Sequence, residues 1–205
     1  MKNNRNQHLK FFPVSVIRVD CQGYFTDQEL TDMVSEIDRA VDTQDNDYLS
    51  LDASVCPYQS KPILFDAHMP DHWKKIKKSF DDACLVYLEQ AEEYKLYKGI
   101  SIASTRAWWY KTWKSMDQQR NQFWHNHSPA FLTGVFYLKI PDQRTDLGTM
   151  IMDPRFFMVN RSDMLESVEH TWAIFPGWLP HQPSFSNTET PRYVIAAECY
   201  AVRFE

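Results

Sequence analysis

The chain has 205 residues, 43% of them hydrophobic and 15% aromatic, with only 5 glycines, which excludes a disordered or fibrous protein and suits one domain with a sizeable core. Its net charge of −5, from 22 basic and 27 acidic side chains, gives no electrostatic reason to expect nucleic acid as a partner. No apolar run approaches the roughly 18 to 20 residues of a membrane span, and Cys21, Cys56, Cys84 and Cys199 are scattered behind a polar N-terminus; the expectation is a soluble, cytoplasmic protein with no membrane partner.

In chain order, Phe11 to Val19 is predicted as a first strand, β-branched and closed by the polar stretch Asp20 to Gly23. A helix follows. Thr26 and Glu29 have the spacing of a capping box, and Leu30, Met33, Val34, Ile37 and Val41 recur with helical period to Asp42. Residues 43 to 70, interrupted by Pro57, Pro62 and Pro70, read mostly as loop. Asp71 opens a second helix with Trp73, Ile76, Phe80, Ala83, Tyr87 and Ala91 on one face. Lys74, Lys75, Lys77 and Lys78 on the other face read as a solvated surface, because Asp81, Asp82, Glu89, Glu92 and Glu93 follow closely.

From Gly99 the chain becomes a series of strand candidates: Ile100 to Thr112, Phe131 to Ile140, Thr149 to Met152, Phe156 to Val159, Thr171 to Phe175 and Arg192 to Phe204. Their lengths and turns predict an antiparallel sandwich or barrel. The chain therefore divides into an N-terminal strand and helical region, 1 to 98, and a β core, 99 to 205, within one domain spanning 1 to 205.

The chemistry concentrates in the second half. His125 and His127 are two apart, so in an extended segment they share a face, with about 6 to 7 Å of backbone between them. That spacing suits two imidazole ligands to one metal, and neutral histidine suits iron, zinc, copper or nickel. His181, on a turn bounded by Pro180 and Pro183, is the candidate third ligand. His8, His68, His72 and His170 read as surface, cap or core positions. On the strand after the histidine pair, Thr133, Val135 and Tyr137 share one face, and Leu132, Phe136 and Leu138 share the other; periodicity does not say which looks inward. Trp109 and Tyr110 are further candidates for a pocket lining. Asp153-Pro154-Arg155 reads as a turn at least as readily as a substrate contact.

The order and spacing of these motifs resemble the non-heme Fe(II), 2-oxoglutarate-dependent oxygenase superfamily, in particular a group of bacterial and phage oxygenases. The resemblance is carried by Ala107-Trp-Trp-Tyr110, the pair His125 and His127, Thr133-Gly-Val-Phe-Tyr-Leu138, Asp153-Pro-Arg155, Phe175-Pro-Gly-Trp-Leu-Pro-His181, and Arg192 eleven residues later. It implies a mainly β fold, a double-stranded β-helix or jelly-roll with two N-terminal helices packed on one sheet. It also implies Fe(II) held by His125 and His181, 2-oxoglutarate chelating that iron, and Arg192 gripping its far carboxylate, a role for which a planar, permanently charged guanidinium is suited. Thr133, Tyr137 and Tyr110 are candidate cosubstrate contacts. The expected partners are O2 and a small-molecule substrate.

The sequence departs from the superfamily at His127, where most members carry Asp or Glu. Three arrangements follow: His127 completes a three-histidine triad; it stands behind the ligands while water or halide fills the position; or a distant carboxylate, Asp153 or Glu198, takes its place. Two further readings stand beside the oxygenase: a cupin-like three-histidine dioxygenase that needs no 2-oxoglutarate, and a β-sandwich binding module without catalysis.

Overall fold

A computed structural model describes residues 7–11, 14–50, 58–91, 100–117, 124–141, 148–155 and 161–204. Nine strands and three helices follow one another among these: β1 (Gln7–Phe11), β2 (Val14–Asp20), α1 (Asp27–Asp42), α2 (Asp71–Gln90), β3 (Ile100–Thr112), α3 (Lys114–Asp117), β4 (Leu132–Lys139), β5 (Thr149–Met152), β6 (Ser162–Leu165), β7 (Thr171–Pro176), β8 (His181–Pro183) and β9 (Arg192–Phe204).

The strands form two antiparallel sheets, a major one in the order β1-β2-β7-β4-β9-β3 and a minor one in the order β6-β5-β8. This is the mainly β, jelly-roll architecture expected. The N-terminal strand reading is corrected in one respect: there are two strands, paired from Gln7 opposite Arg18 to Phe11 opposite Val14. The polar segment Gln7 to Lys10 hid the first of them, because an edge strand needs no continuous apolar face.

The major sheet has an apolar core on each side. On one, Leu132, Phe136 and Leu138 of β4 and Trp172 and Ile174 of β7 pack with Met33 and Ile37 of α1 and Trp73, Ile76, Phe80 and Tyr87 of α2. Burying each such side chain contributes about 1.5 to 3 kcal/mol, enough to hold both helices on this face. Gly134 makes the close approach possible: a Cβ there would stand 2.7 Å from Ile174 Cδ1 and 2.8 Å from Phe80 Cε2. On the other side, Val14, Val16, Val135, Tyr137, Phe175 and Val194 meet Ile151, Leu165 and Leu179 between the two sheets. The face of β4 left open by periodicity is thereby assigned: Thr133, Val135 and Tyr137 look between the sheets.

The helix signals correspond to local bonds. Thr26 accepts from the Glu29 amide, and the Glu29 side chain accepts from the Thr26 amide at 3.0 Å. The lysine face of α2 is neutralised locally, with Lys77 on Asp81 and Lys78 on Asp82 one turn away, Lys74 on Asp71, and Lys75 reaching Glu29 of α1. No described helix is long and apolar enough to cross a membrane.

Two further strands carry no local signal. β6, Ser-Asp-Met-Leu, is too short and polar to show a pattern, and β8 contains His181 itself, where the flanking prolines predict a turn. The expected strand Phe156 to Val159 lies outside the described residues.

Candidate metal centre

Backbone pairing brings the three histidines together. The His125 amide donates to the His181 carbonyl at 3.1 Å and the His181 amide to the His125 carbonyl at 2.9 Å, a hydrogen-bonded antiparallel pair whose side chains emerge on one face. His127, two residues on, is fixed by its amide donating to the Gly177 carbonyl at 2.7 Å. Among the described residues the segment joins the minor sheet through this single bridge.

One ligand atom from each of His125, His127 and His181 lies within 4.8 Å of the other two, and among the described residues no carboxylate joins that group. Ring centroids are 4.5 Å apart for His125 and His181, 5.0 Å for His127 and His181, and 5.2 Å for His125 and His127. Exposure is graded: His181 is buried, His127 half-buried and His125 exposed, so the cluster opens to solvent on the His125 side.

Second partners orient two of the rings. His181 Nδ1 lies 2.9 Å from the Leu179 carbonyl; donating there leaves Nε2 with a lone pair for a metal. Burial, then the neighbouring His125 and His127, push the His181 pKa well below the usual value, against the Leu179 bond, which favours the charged form. His181 is therefore neutral, as a ligand must be. His127 Nδ1 lies 2.6 Å from Glu198 Oε1.

Glu198 is 3% exposed. Burial would raise its pKa, but hydrogen bonds from His127, Arg106 and Tyr200 outweigh that and hold it at about 2. Arg106 Nε donates to Glu198 Oε2 at 2.5 Å, and the Tyr200 hydroxyl also donates to Oε2. The Trp108 ring lies 5.6 Å from that of His127.

Deeper between the sheets lies Arg192, 1% exposed, two residues before Val194 on the same face of β9. Its Nη2 donates to the Ser184 carbonyl at 3.1 Å, and Thr112 stands opposite it on β3. Thr112 Oγ1 and Ser184 Oγ are buried with no hydrogen-bond partner among the described residues. The Tyr137 hydroxyl pairs with Thr149 Oγ1 at 2.8 Å, and the Thr133 hydroxyl donates to the Ala197 carbonyl at 2.9 Å. Tyr110 packs at the edge of the same core. Trp109, its neighbour, turns the other way into the helix-side core.

Asp153 serves its own turn, accepting from the Arg155 amide at 2.8 Å and from its guanidinium at 3.0 and 2.8 Å. Sequence reasoning did not single out Arg106, Tyr200, Thr112 or Ser184. A signal existed for three of them: counting by twos along β3 puts Arg106 and Thr112 on the face of Tyr110, and along β9 it puts Tyr200 on the face of Arg192.

No family model matches the chain, and no curated protein matches its sequence. Solved structures match its fold. A prolyl-4-hydroxylase from Pseudomonas putida superposes with a TM-score of 0.58 at 10% identity, over 90% of this chain and 91% of that one. The non-heme alpha-ketoglutarate-dependent epimerase SnoN from nogalamycin biosynthesis gives 0.56 at 9% identity, over 92% and 80%. HygX from Streptomyces hygroscopicus, solved with nickel and 2-oxoglutarate bound, gives 0.51 at 11%, over 90% and 81%. The fold that the sequence motifs implied is the fold found.

Proposed function

We propose that the chain is an Fe(II)- and 2-oxoglutarate-dependent oxygenase that oxidises, by hydroxylation, a C–H bond of a small-molecule substrate. The observation that carries this reading is the convergence of His125, His127 and His181 within 4.8 Å, inside a fold shared with a hydroxylase and an alpha-ketoglutarate-dependent enzyme. The residues fit both groups. Three imidazoles are a donor set suited to Fe(II), and a buried guanidinium beside the unsatisfied hydroxyls of Thr112 and Ser184 suits a carboxylate. The 1 to 205 span acts in this reading as one catalytic domain, because β1 and β2 extend the same sheet that carries Arg192.

His125, His127 and His181 would hold the iron, and Arg192 would grip the distal carboxylate of 2-oxoglutarate. Iron and cosubstrate, when bound, supply oxidative decarboxylation of 2-oxoglutarate by O2 to succinate and CO2, coupled to insertion of the second oxygen atom into the substrate C–H bond. The protein's part is orientation and exclusion of water. Val135, Val194 and Phe175 line the space between the sheets with apolar surface, while Tyr137 and Thr133, buried beside them, and Tyr110 at the edge carry the hydroxyls. In this low-dielectric setting a bidentate arginine–carboxylate pair is strong and directional.

Anaerobic titration of the apoprotein with Fe(II) and then 2-oxoglutarate tests the proposal. A weak visible charge-transfer band should appear only when both are present. In Arg192→Gln, 2-oxoglutarate affinity should fall at least about tenfold, since a hydrogen bond to a charged group contributes about 1.5 to 3 kcal/mol, while Fe(II) binding persists. A second reading, the three-histidine dioxygenase that binds substrate directly, draws on the absence of a carboxylate from the described cluster. Unchanged 2-oxoglutarate-dependent behaviour in a folded Arg192→Gln protein would reject the proposed cosubstrate role.

A further inference from the structure

We infer that Glu198 is a positioning residue for the metal, providing through the His127 ring the negative charge that a ligating carboxylate would otherwise bring. The inference rests on the metal-binding part of the proposed function and deepens it.

The two oxygens of Glu198 are divided between tasks. Oε2 is anchored from the outer side by Arg106 Nε at 2.5 Å and by the Tyr200 hydroxyl, while Oε1 faces His127 Nδ1 at 2.6 Å. The backbone enforces this placement: Glu198 stands at the middle of β9, opposite Thr133 of β4 on one side and Arg106 of β3 on the other. Its side chain is 3% exposed against 49% for Arg106. A solvated arginine needs no buried partner, whereas burying a carboxylate is costly unless its oxygens are paired. The burial is thus not explained by a need of Arg106; it places an anion against the ring that occupies the position of a usual carboxylate ligand.

Charge distinguishes the two oriented rings. His181 leans on a neutral carbonyl, that of Leu179, and His127 leans on a carboxylate. With the proton held on Nδ1, His127 presents the Nε2 lone pair to the metal, and the carboxylate behind the ring makes that nitrogen a stronger donor. Three neutral imidazoles plus this anion carry the same net charge as two histidines and one carboxylate.

The test uses Co(II) alone, without 2-oxoglutarate, titrated into the full-length metal-free protein and followed by its visible absorption. Glu198→Gln keeps the shape and removes the charge, and Co(II) affinity should fall about 10- to 100-fold with far-UV circular dichroism unchanged. In a His127→Asp background, where a carboxylate returns to the ligand position, Glu198→Gln should leave affinity unchanged or raise it, because two facing carboxylates repel. An equal loss in both backgrounds, or no loss in either, overturns the inference. A measurement on the unmutated protein stands apart from variant folding: in the Zn(II)-loaded form, long-range 15N–1H correlation should place the His127 proton on Nδ1, and a proton on Nε2 overturns the inference. If the unmutated protein binds no Co(II), the inference and the metal-centre reading fall together. If it binds Co(II) with the expected Glu198 dependence but never responds to 2-oxoglutarate, only the oxygenase reading falls.

Discussion

At the residue scale, the buried hydroxyls around Arg192 form the end of the site proposed for the cosubstrate. Tyr137 stands opposite Val194 on β9, two positions from Arg192, and its partner Thr149 stands opposite Pro183, next to Ser184. Tyr137, Thr149, Ser184 and Arg192 therefore gather from both sheets. Removing the Tyr137 hydroxyl leaves Thr149 Oγ1 buried without its 2.8 Å partner, at a cost of about 1 to 3 kcal/mol. Tyr137→Phe should lower the unfolding midpoint and weaken 2-oxoglutarate binding several-fold, whereas Tyr137→Phe with Thr149→Val should recover part of the stability without recovering the affinity. Chemical denaturation and cosubstrate titration on the four proteins of the cycle separate the two effects. Full recovery of affinity in the double variant would assign the pair to packing alone.

At the element scale, the site depends on a short segment that belongs to neither sheet. Residues 124 to 130 are held by His125 on His181, by His127 on the Gly177 carbonyl, and by the Gly177 amide donating to the Phe131 carbonyl at 3.0 Å. The approach is so close that a Cβ on Gly177 would stand 2.1 Å from the Ala130 carbonyl oxygen. That neighbour is backbone and cannot swing aside. Gly177→Ala should therefore displace the segment carrying His125 and His127 and reduce metal affinity well beyond tenfold. The cores lie elsewhere, so the far-UV spectrum should stay close to that of the parent; wild-type Co(II) affinity in this variant would contradict the account.

The same segment explains what was legible in the sequence. Spacing alone put His125 and His127 on one face, and helical period located both long helices, the first of them also by its capping box, because these signals are local. What brings His181 to the pair is a two-residue bridge of backbone hydrogen bonds across 55 intervening positions of the chain, and no local pattern encodes it. Glu198 was visible only as one candidate among the carboxylates. The role inferred for it depends on β9 running between β3 and β4, a pairing that periodicity does not reveal.

At the scale of the whole molecule, the candidate metal site joins parts of the chain that the cores hold only indirectly. His125 and His127 precede β4, His181 opens β8 of the minor sheet, and Glu198 behind His127 belongs to the major sheet. A metal gripping all three histidines would tie the segment ahead of β4 to β8 of the minor sheet, and it would do so only in the folded state, since the unfolded chain does not bring these positions together. Binding must then stabilise the fold by mass action: about 2.7 kcal/mol at a free metal concentration one hundred times Kd. For a domain of this size about 1 kcal/mol moves the midpoint by roughly 2 to 4 °C, so saturating Co(II) or anaerobic Fe(II) should raise it by roughly 5 to 10 °C. His125→Ala should abolish the shift with little effect on the metal-free midpoint, because His125 is exposed and contributes little to either core. 2-Oxoglutarate added after the metal should raise the midpoint again, and should do nothing without it, because the chelate needs the ion in place. A rise with 2-oxoglutarate alone would mean that Arg192 and its hydroxyls bind the diacid independently of the histidines, and the two halves of the site would not be coupled as proposed.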